Sequence, residues 1–415
     1  MVKIKQNKKA IKKYLKVFER ATEEQKYSNL FFIKGALYFT LNQEEDARDY
    51  FVKSQKDILE ILVFLHNENR EKVVPNEIFF SVLDNDNFFN KTIEKDKDKS
   101  EDYKMAYIYS ILIIIQLHIN NENEKEVATY TSKTAAQSML FEKSNFKLNA
   151  INYSNDPTEG KTLLDFFFKK DDCPTKEILN KDYSAFAGCF TFNHDRLNQF
   201  RLYGKEDGKE GTGLSLVFHN SFFKADAKMA IIGIKRDEKN EGEKHALFRC
   251  IYIDPETQRI ESVGQKEEYL FYREGKENNK TNDKIKLEIE NYRDYISKLT
   301  KNIEKQMNEL KDFVKKTNLD LEIVGQLLIN LRYLTKHIAF QEEQECRIVK
   351  IHSLAESKIK TSNDYKQMYV EYLKIPNYVD KIYFGPKATG TELFQDILTH
   401  KGILVKCIQS QNPLA

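Results

Sequence analysis

The chain has 415 residues, of which 40% are hydrophobic and 12% aromatic, so it is long enough for two or three domains with well-filled cores. Its 66 basic and 64 acidic residues leave a formal net charge of +2, which argues against a surface given over as a whole to nucleic acid. The five scattered cysteines lack disulfide or metal-ligand spacing, which predicts a reducing cytoplasmic location and no metal centre.

No apolar run reaches the roughly 20 residues that a membrane-spanning helix requires, so we expect no membrane partner. The most apolar run, residues 105–117, is interrupted by Ser110 and Gln116, which predicts a buried helix instead. The Lys-rich first residues have no apolar segment behind them and are not typical of a signal peptide.

Seven lysines precede the first acidic residue, Glu19. A basic arm that touches nucleic acid is one interpretation of this segment. The favoured interpretation is the solvated face of an amphipathic helix, because Ile11, Leu15 and Phe18 recur at helical spacing.

Residues 1–122 predict an α-helical domain of repeat type. Large and small residues recur at the positions of a tetratricopeptide repeat, namely Phe31, Gly35, Tyr38, Ala47 and Phe51. A second clean repeat is missing, because Asn69 falls where the glycine is needed one period later. We expect helices at residues 25–41, 44–65 and 101–120, and a protein partner that binds them.

The stretch 127–161 opens a second predicted domain, residues 123–415. Its pattern is typical of a strand at 127–130, a helix at 133–142 and a strand at 146–151. The hydroxyl groups of Tyr130, Thr131 and Ser132 come where strand gives way to helix. They predict either hydrogen-bond donors to a ligand or an N-cap of the helix, and the N-cap is favoured because strand-to-helix turns commonly have one.

A polar turn follows, with Asn155, Asp156 and Glu159 as candidate binding residues. An Asp before a Pro favours an extended or turn conformation, and Glu159 is expected in the first turn of a helix. An ordinary surface turn is the favoured alternative to a ligand site.

Further strands complete an α+β domain with a split sheet, either mixed or antiparallel. A helix is expected at residues 195–203, followed by a glycine-bearing loop and then by turns. The expected strands are residues 186–192, 214–218, 228–234, 245–252, 344–351, 368–373, 381–384 and 403–408.

A long helical hairpin is expected as an insertion at about residues 283–338. Its second helix is expected at residues 319–337. Packing of the hairpin within the chain is favoured, and a homodimeric coiled coil through residues 285–314 is the alternative. The first helix carries an apolar stripe at steps of three and four, formed by Ile285, Ile289, Tyr292, Ile296, Leu299, Ile303, Met307, Leu310 and Val314.

The segment 341–347, QEEQECR, holds the third group of candidate polar residues. If Glu343, Glu345 and Arg347 lie on one strand, a period of two places them on the same face. Two carboxylates repel there unless a cation lies between them, and Arg347 supplies one. The cluster therefore predicts either a binding site or a structural ion network, and spacing leaves both open.

The common catalytic signatures are missing. The chain has no Walker loop, no glycine-rich dinucleotide motif, no H-E-x-x-H and no G-x-S-x-G. Its eight histidines are dispersed, and an isolated one such as His194 is more often a structural hydrogen-bonding residue.

Seven short motifs in order, YTS, NDPTE, CFTF-x-HDRLNQFRLYG, GTGLSLVF, RCIYID, EEQECRIV and IYFGPKAT, resemble the bacterial domain-of-unknown-function family 2971. The resemblance covers about residues 127–406. The sequence departs from the family pattern at four positions. Ala128 and Thr129 replace the first Tyr and the His of the first motif, Thr191 replaces a Ser, and Phe200 replaces a Trp.

The family's layout is similar in turn to small ADP-ribosyltransferase-like folds. By this resemblance Tyr130 and Thr131 are expected to hold the nicotinamide ribose of NAD, and Tyr203 to stack on the nicotinamide. Glu345 or Glu343 is expected to stabilise the developing sugar cation. Arg347 is expected to bind the pyrophosphate. Ser132, Asn155, Asp156 and Glu159 complete the expected cofactor-binding set.

The leading hypothesis is therefore an NAD-dependent ADP-ribosyltransferase, or an NAD-cleaving enzyme, that acts on a macromolecule in bacterial conflict or phage defence. This hypothesis requires Tyr130, Glu345 and either Glu159 or Tyr203 to meet in one pocket. The alternative is a non-enzymatic ligand-sensing and protein-interaction module, in which these residues are scattered or mutually buried. An enzyme acting on nucleic acid is a third possibility, although no nuclease carboxylate set is evident.

Overall fold

The computed structural model describes residues 87–119, 123–151, 156, 158–168, 183–223 and 244–413. These residues divide into two compact units, 87–112 with 313–327 and 113–312 with 328–413. The tetratricopeptide-like residues, the expected helices 25–41 and 44–65, the expected strand 228–234 and Asn155 lie outside the described residues. The expected domain boundary near residue 122 stays a prediction.

The described residues contain both long helices and extended strands, as expected for an α+β chain. Three short 3₁₀ segments, Glu94–Lys99, Asn220–Phe222 and Ile338–Glu343, accompany the α-helices. The α-helices are α1 (Asn87–Thr92), α2 (Ser100–Gln116), α3 (Lys133–Phe141), α4 (Thr162–Phe167), α5 (Leu197–Leu202), α6 (Glu268–Glu277), α7 (Asn282–Thr317), α8 (Leu321–Leu327), α9 (Ile329–Arg332) and α10 (Thr391–His400).

The strands form one large sheet and one small sheet. The large sheet has the order β10-β11-β2-β3-β1-β4-β12-β13, with β9 on β3 and β5 on β9, and the small sheet has the order β7-β6-β8. The strands are β1 (Glu126–Thr131), β2 (Asn145–Ala150), β3 (Tyr183–Thr191), β4 (Leu214–His219), β5 (Phe248–Arg249), β6 (Ile251–Asp254), β7 (Arg259–Val263), β8 (Thr335–His337), β9 (Glu345–Ser353), β10 (Lys360–Thr361), β11 (Met368–Lys374), β12 (Val379–Phe384) and β13 (Lys406–Gln409).

Both sheets are mixed. Strands pair antiparallel throughout the large sheet except β12 with β13, which are parallel. In the small sheet β6 is antiparallel to β7 and parallel to β8.

The large sheet divides along β3. One edge of β3 pairs with β9 over its whole length, from Tyr183 to Thr191. The other edge pairs with β2 at residues 186–187 and with β1 at residue 191. Strands β2 and β1 therefore diverge from each other along β3, between residues 187 and 191. There the Thr129 hydroxyl of β1 donates to the Cys189 carbonyl at 3.0 Å, which satisfies an acceptor that the strand pairing leaves open.

The two faces of the large sheet differ in character. One face is apolar and carries a phenylalanine-rich core, which includes Phe146, Phe190, Phe218 and Phe222. Side chains of a strand alternate between faces, so Cys346 and Ile348 of β9 join this core while Glu345 and Arg347 point to the other face. The polar site described below lies on that other face.

The long helix α7 confirms the expected stripe. All nine stripe residues from Ile285 to Val314 are buried, with at most 8% of their surface exposed. This burial within a single chain favours packing inside the chain, and a dimer through residues 285–314 stays a prediction.

The prediction of a second hairpin helix at residues 319–337 is wrong at the C-terminal end of that helix. Residues 319–337 contain the short helices α8 and α9, and the strand β8 follows them. Strand β8 pairs with β6, so Thr335–His337 obtain their backbone hydrogen bonds from a sheet rather than from a helix. The expected strand 245–252 likewise divides at Cys250 into β5 and β6, which belong to different sheets.

Six elements of the structure were not expected from the sequence, namely α1, α4, α6, β7, β10 and α10. Other expected elements within the described residues occur with shifted ends. Among the described residues, no helix combines the length and the apolar character needed to cross a membrane.

Candidate functional site

A chain of ionised side chains runs across the polar face at β9. It consists of Glu159, Arg347, Glu345, Lys336 and Glu343, with the Tyr203 hydroxyl at its end. The five ionised side chains are between 2% and 9% exposed. Three carboxylates and two cations leave one formal negative charge in excess.

Four separate segments bring these side chains together. Strand β9 supplies Glu345 and Arg347, and β8 supplies Lys336. Tyr203 ends α5, and Glu159 lies in the turn before α4. The backbone N–H of Glu345 donates to the Tyr252 hydroxyl of β6 at 2.7 Å, which ties the small sheet to the start of β9.

Glu343 belongs to a different element from the one that the sequence predicted. It ends a 3₁₀ segment and does not lie on β9, so the strand alternation expected for residues 343, 345 and 347 holds only for Glu345 and Arg347. Gln344 between them has a φ of 45°, in the left-handed region. This turn residue directs the Glu343 side chain back toward Lys336.

Arg347 has all five of its N–H donors engaged by protein atoms. Its Nε and Nη2 donate to Glu345 at 2.7 and 3.0 Å, and Nη2 also donates to Glu159 at 3.1 Å. Its Nη1 donates to Glu159 and to the Tyr333 carbonyl. No donor remains for a pyrophosphate, so this geometry favours a positioning role for Arg347. Its expected cofactor contact stays a prediction.

Lys336 joins the two carboxylates that the sequence singled out. Its ammonium nitrogen contacts Glu343 Oε2 and lies 2.6 Å from Glu345 Oε2, so the two carboxylates lie side by side. The other oxygen of Glu343 accepts from the Tyr203 hydroxyl at 2.5 Å. Lys336 was not a candidate from the sequence. It falls within the helix predicted at residues 319–337, and no sequence motif connects it with Glu343 or Glu345.

The two carboxylates have pKa values displaced in opposite directions. Burial raises the pKa of Glu343, against the opposing charge of Lys336. Burial also acts to raise the pKa of Glu345, but the charges of Arg347 and Lys336 outweigh it and hold that pKa well below its usual range. Environments that separate two carboxyl pKa values in this way are typical of acid–base sites.

Tyr203 and Cys189 are the accessible groups beside the carboxylates. Tyr203 is 41% exposed, so its ring forms part of the rim. Cys189 is exposed, yet loss of hydration, and after it the charge of Glu345, raises the pKa of its thiol.

Tyr130 lies on the same sheet face but contacts other groups. Its hydroxyl donates to the Asn193 carbonyl at 2.8 Å and accepts from the Arg196 N–H at 2.8 Å. Its ring packs edge-on against Phe200, with 4.9 Å between the ring centroids. These contacts hold the turn before α5, and through α5 they position Tyr203.

Two candidate groups have the structural roles that the sequence favoured. The Ser132 hydroxyl accepts from the Ala135 N–H at 3.1 Å and caps α3, which confirms the N-cap interpretation; Thr131 ends β1. Asp156 accepts from the N–H and the hydroxyl of Thr158 at 2.8 and 2.6 Å, as in an ordinary turn.

A second polar cluster on this face contains potential metal ligands. One ligand atom each from Glu126, His194 and Glu274 lie within 4.8 Å of one another. No sequence pattern pointed to this group, because its members are far apart along the chain.

Comparison with known proteins gives one match. The model of a family described as "Protein of unknown function (DUF2971)" matches residues 199–348, which is 150 of the 415 residues. The matched region contains Tyr203, Lys336, Glu343, Glu345 and Arg347, but neither Tyr130 nor Glu159. The chain matches no curated protein and no solved structure.

Proposed function

We propose that the face around Glu343 and Glu345 is the active site of an enzyme that cleaves the N-glycosidic bond of NAD. The observation that carries this proposal is the pair of carboxylates on one lysine with oppositely displaced pKa values. The ADP-ribosyl group passes to water or to a macromolecular acceptor, and the proposed setting is bacterial conflict or phage defence. The tetratricopeptide-like region would recruit the protein partner.

Glu345 stabilises the transition state. As the bond between the ribose C1′ and the nicotinamide nitrogen breaks, its electron pair leaves with neutral nicotinamide and positive charge develops on the sugar. Glu345 remains ionised because Arg347 and Lys336 stabilise its charge. Arg347 and Glu159 fix its orientation from behind.

Glu343 is the general base. It accepts the proton of the attacking water or acceptor hydroxyl, whose oxygen bonds to C1′. A raised pKa suits this role, since a base is most effective when its pKa approaches the working pH. The products are nicotinamide and ADP-ribose, free or attached to the acceptor.

The Tyr203 ring beside the carboxylates also suits the binding of a nicotinamide ring. The ring of NAD is planar and positively charged, and the cluster carries one formal negative charge in excess. The exposed face of Tyr203 offers stacking and cation–π attraction to such a ring.

The experiment is nicotinamide release from NAD by the full chain, with and without cell lysate as a source of acceptor. The proposal predicts release by the wild type and its loss in Glu343→Gln. Glu371→Gln is the matched control, because Glu371 is likewise a glutamate paired with a lysine, at 2.8 Å from Lys360, but lies outside the proposed site. Release that persists in Glu343→Gln contradicts the proposal.

A second candidate function is a ligand-sensing and interaction module without catalysis. The observation that favours it is the mutual burial of the ion chain, in which every donor of Arg347 is used internally. This function predicts that NAD raises the melting temperature without any release of nicotinamide.

A further inference from the structure

The second polar cluster combines a buried histidine with two carboxylates, which are ligand types of a metal site. His194 is buried, with 3% of its surface exposed, and its Nε2 lies 3.2 Å from the Glu126 carbonyl oxygen. A carbonyl only accepts, so Nε2 carries the hydrogen and donates it. The proton position is thereby fixed, and the lone pair of the neutral ring lies on Nδ1.

This lone pair faces a carboxylate. The Nδ1 atom is 3.9 Å from Glu126 Oε2, too far for a hydrogen bond. The same oxygen accepts from Lys381 at 2.9 Å, and the carboxylate keeps further lone-pair positions for a ligand beside the histidine nitrogen.

The gap has the size of a metal site. Zinc binds imidazole nitrogen at about 2.0–2.1 Å and carboxylate oxygen at about 2.0–2.2 Å, so one ion between the two atoms can contact both. Glu274 completes a set of one nitrogen and two carboxylate ligands within the same 4.8 Å. The Nε2 contact to a backbone carbonyl is also the usual outer contact of a metal-bound histidine.

We propose that Glu126, His194 and Glu274 form a binding site for one divalent transition-metal ion, with zinc as the best match. Imidazole favours zinc over calcium and magnesium. The site is distinct from the Glu343–Glu345 cluster in its residues and does not depend on the proposed NAD chemistry.

Two lysines lie beside this site and hold the carboxylates. Lys381 Nζ donates to Glu126 at 2.9 Å and to Glu277 at 3.1 Å, and Lys266 contacts Glu274. Each carboxylate has about four lone-pair positions, so a lysine contact leaves room for a metal. The alternative to a metal site is a cluster in which these two lysines alone balance the charges of Glu126 and Glu274.

The test is zinc binding by the full chain after chelator treatment, followed by calorimetry and by the melting temperature. The wild type is expected to bind one zinc ion and to melt at a higher temperature with zinc than without. Glu274→Gln is expected to weaken binding by at least about tenfold, since it removes a charged ligand and keeps its shape.

Glu277→Gln is the matched control. Glu277 contacts Lys381 and Lys406 but is not one of the three ligands, so this variant is expected to bind zinc like the wild type. His194→Asn tests the nitrogen ligand, and Glu274→Gln remains informative if that buried substitution prevents folding. Absence of zinc binding by the wild type, or equal binding by Glu274→Gln and the wild type, overturns the proposal.

Discussion

Lys336 determines how charge is divided between the two central carboxylates. It contacts both, but Glu345 has Arg347 as a second cation, whereas among the described residues the further partner of the Glu343 carboxylate is the neutral Tyr203 hydroxyl. Burial therefore dominates at Glu343 and charge dominates at Glu345. Under the proposed mechanism, the first carboxyl is the group suited to proton transfer and the second the group that keeps its negative charge.

The first prediction concerns Tyr203→Phe and the pH dependence of nicotinamide release. The Tyr203 hydroxyl donates to Glu343 and so lowers its pKa, against the larger effect of burial. The substitution removes this bond and raises the pKa of Glu343 further. A general base works when deprotonated, so activity falls as the pH falls through this pKa, and the acid limb of the rate profile is expected to move to higher pH.

The measurement is the rate of nicotinamide release between about pH 4 and pH 9, for the wild type and for Tyr203→Phe. An acid limb at the same pH in both proteins would show that Glu343 is not the base.

The second prediction concerns Glu345→Gln and stability. The pKa of Glu345 in the folded chain is below the ordinary value of 4.5, so its contribution is present above about pH 4.5 and lost as the pH falls. Removing this charge leaves Arg347 and Lys336 undercompensated while buried. We expect a loss of about 3–5 kcal/mol in the free energy of unfolding at pH 7, with a smaller difference in acid.

Urea unfolding at pH 7 measures the loss, and the difference between the two proteins is expected to narrow only as the pH is lowered well below 4.5. A loss below about 1 kcal/mol at pH 7 contradicts the burial and pairing described for Glu345.

At the scale of elements, the close approach of two backbone segments fixes the start of β9. Gly264 follows β7, and a Cβ atom there would lie 2.3 Å from the Glu345 carbonyl oxygen. The Gly264 carbonyl also accepts from the buried Arg249 at 2.9 Å. Only a glycine allows the end of β7 to pass this near to β9.

The third prediction is that Gly264→Ala lowers both the melting temperature and the rate of nicotinamide release, because the new methyl group must displace Glu345. Gly208→Ala is a useful control, since its Cβ meets no atom within 4 Å although its φ of 74° adds some strain. Equal release by Gly264→Ala and the wild type would contradict a site whose geometry depends on this contact.

The fourth prediction concerns helix α7. Ile303 in the stripe is fully buried, whereas Leu287 on the same helix is 58% exposed. Ile303→Ala is expected to lower the free energy of unfolding by about 2–5 kcal/mol. Leu287→Ala is expected to change it by no more than about 0.5 kcal/mol.

Urea unfolding at two protein concentrations separates the two accounts of the stripe. Packing within the chain predicts midpoints that do not depend on concentration. A midpoint that rises with concentration, and falls selectively in Ile303→Ala, would instead support the dimer.

Sequence patterns predicted the elements whose periodicity reports burial. The stripe from Ile285 to Val314 is visible because a helix that buries one side repeats every three or four residues. Strand β8 was mistaken for helix because three residues are too few for a period, and its pairing partner β6 lies about 80 residues away. Helix α4 was missed because nearly all of its residues are buried, which removes the contrast between faces.

At the scale of the whole molecule, the same limit applies to the site. Glu345 and Arg347 were predictable as neighbours, since alternation along one strand suffices to place them on one face. Lys336 and Cys189 were not, because the contacts that bring them to Glu345 arise from pairing between strands distant in sequence. For Tyr130, by contrast, the motif predicted a ligand contact. In the structure its hydroxyl is hydrogen-bonded to the backbone of the turn between β3 and α5.

The near balance of charge in the whole chain also limits the choice of acceptor. With a net charge of +2, the chain lacks the broad positive field that draws proteins to nucleic acid regardless of sequence. A protein acceptor is the simpler partner for an ADP-ribosyl transfer from this site.

The most direct measurement is nicotinamide release from NAD by the full chain, compared among the wild type, Glu343→Gln, Glu345→Gln and the Glu371→Gln control. Circular dichroism confirms that each variant is folded. The proposed site predicts release by the wild type and the control, and at least about a hundredfold slower release by Glu343→Gln, in line with the loss of a general base. No release by the wild type with or without lysate, or equal release by the Glu343→Gln variant, would contradict an active site at these carboxylates.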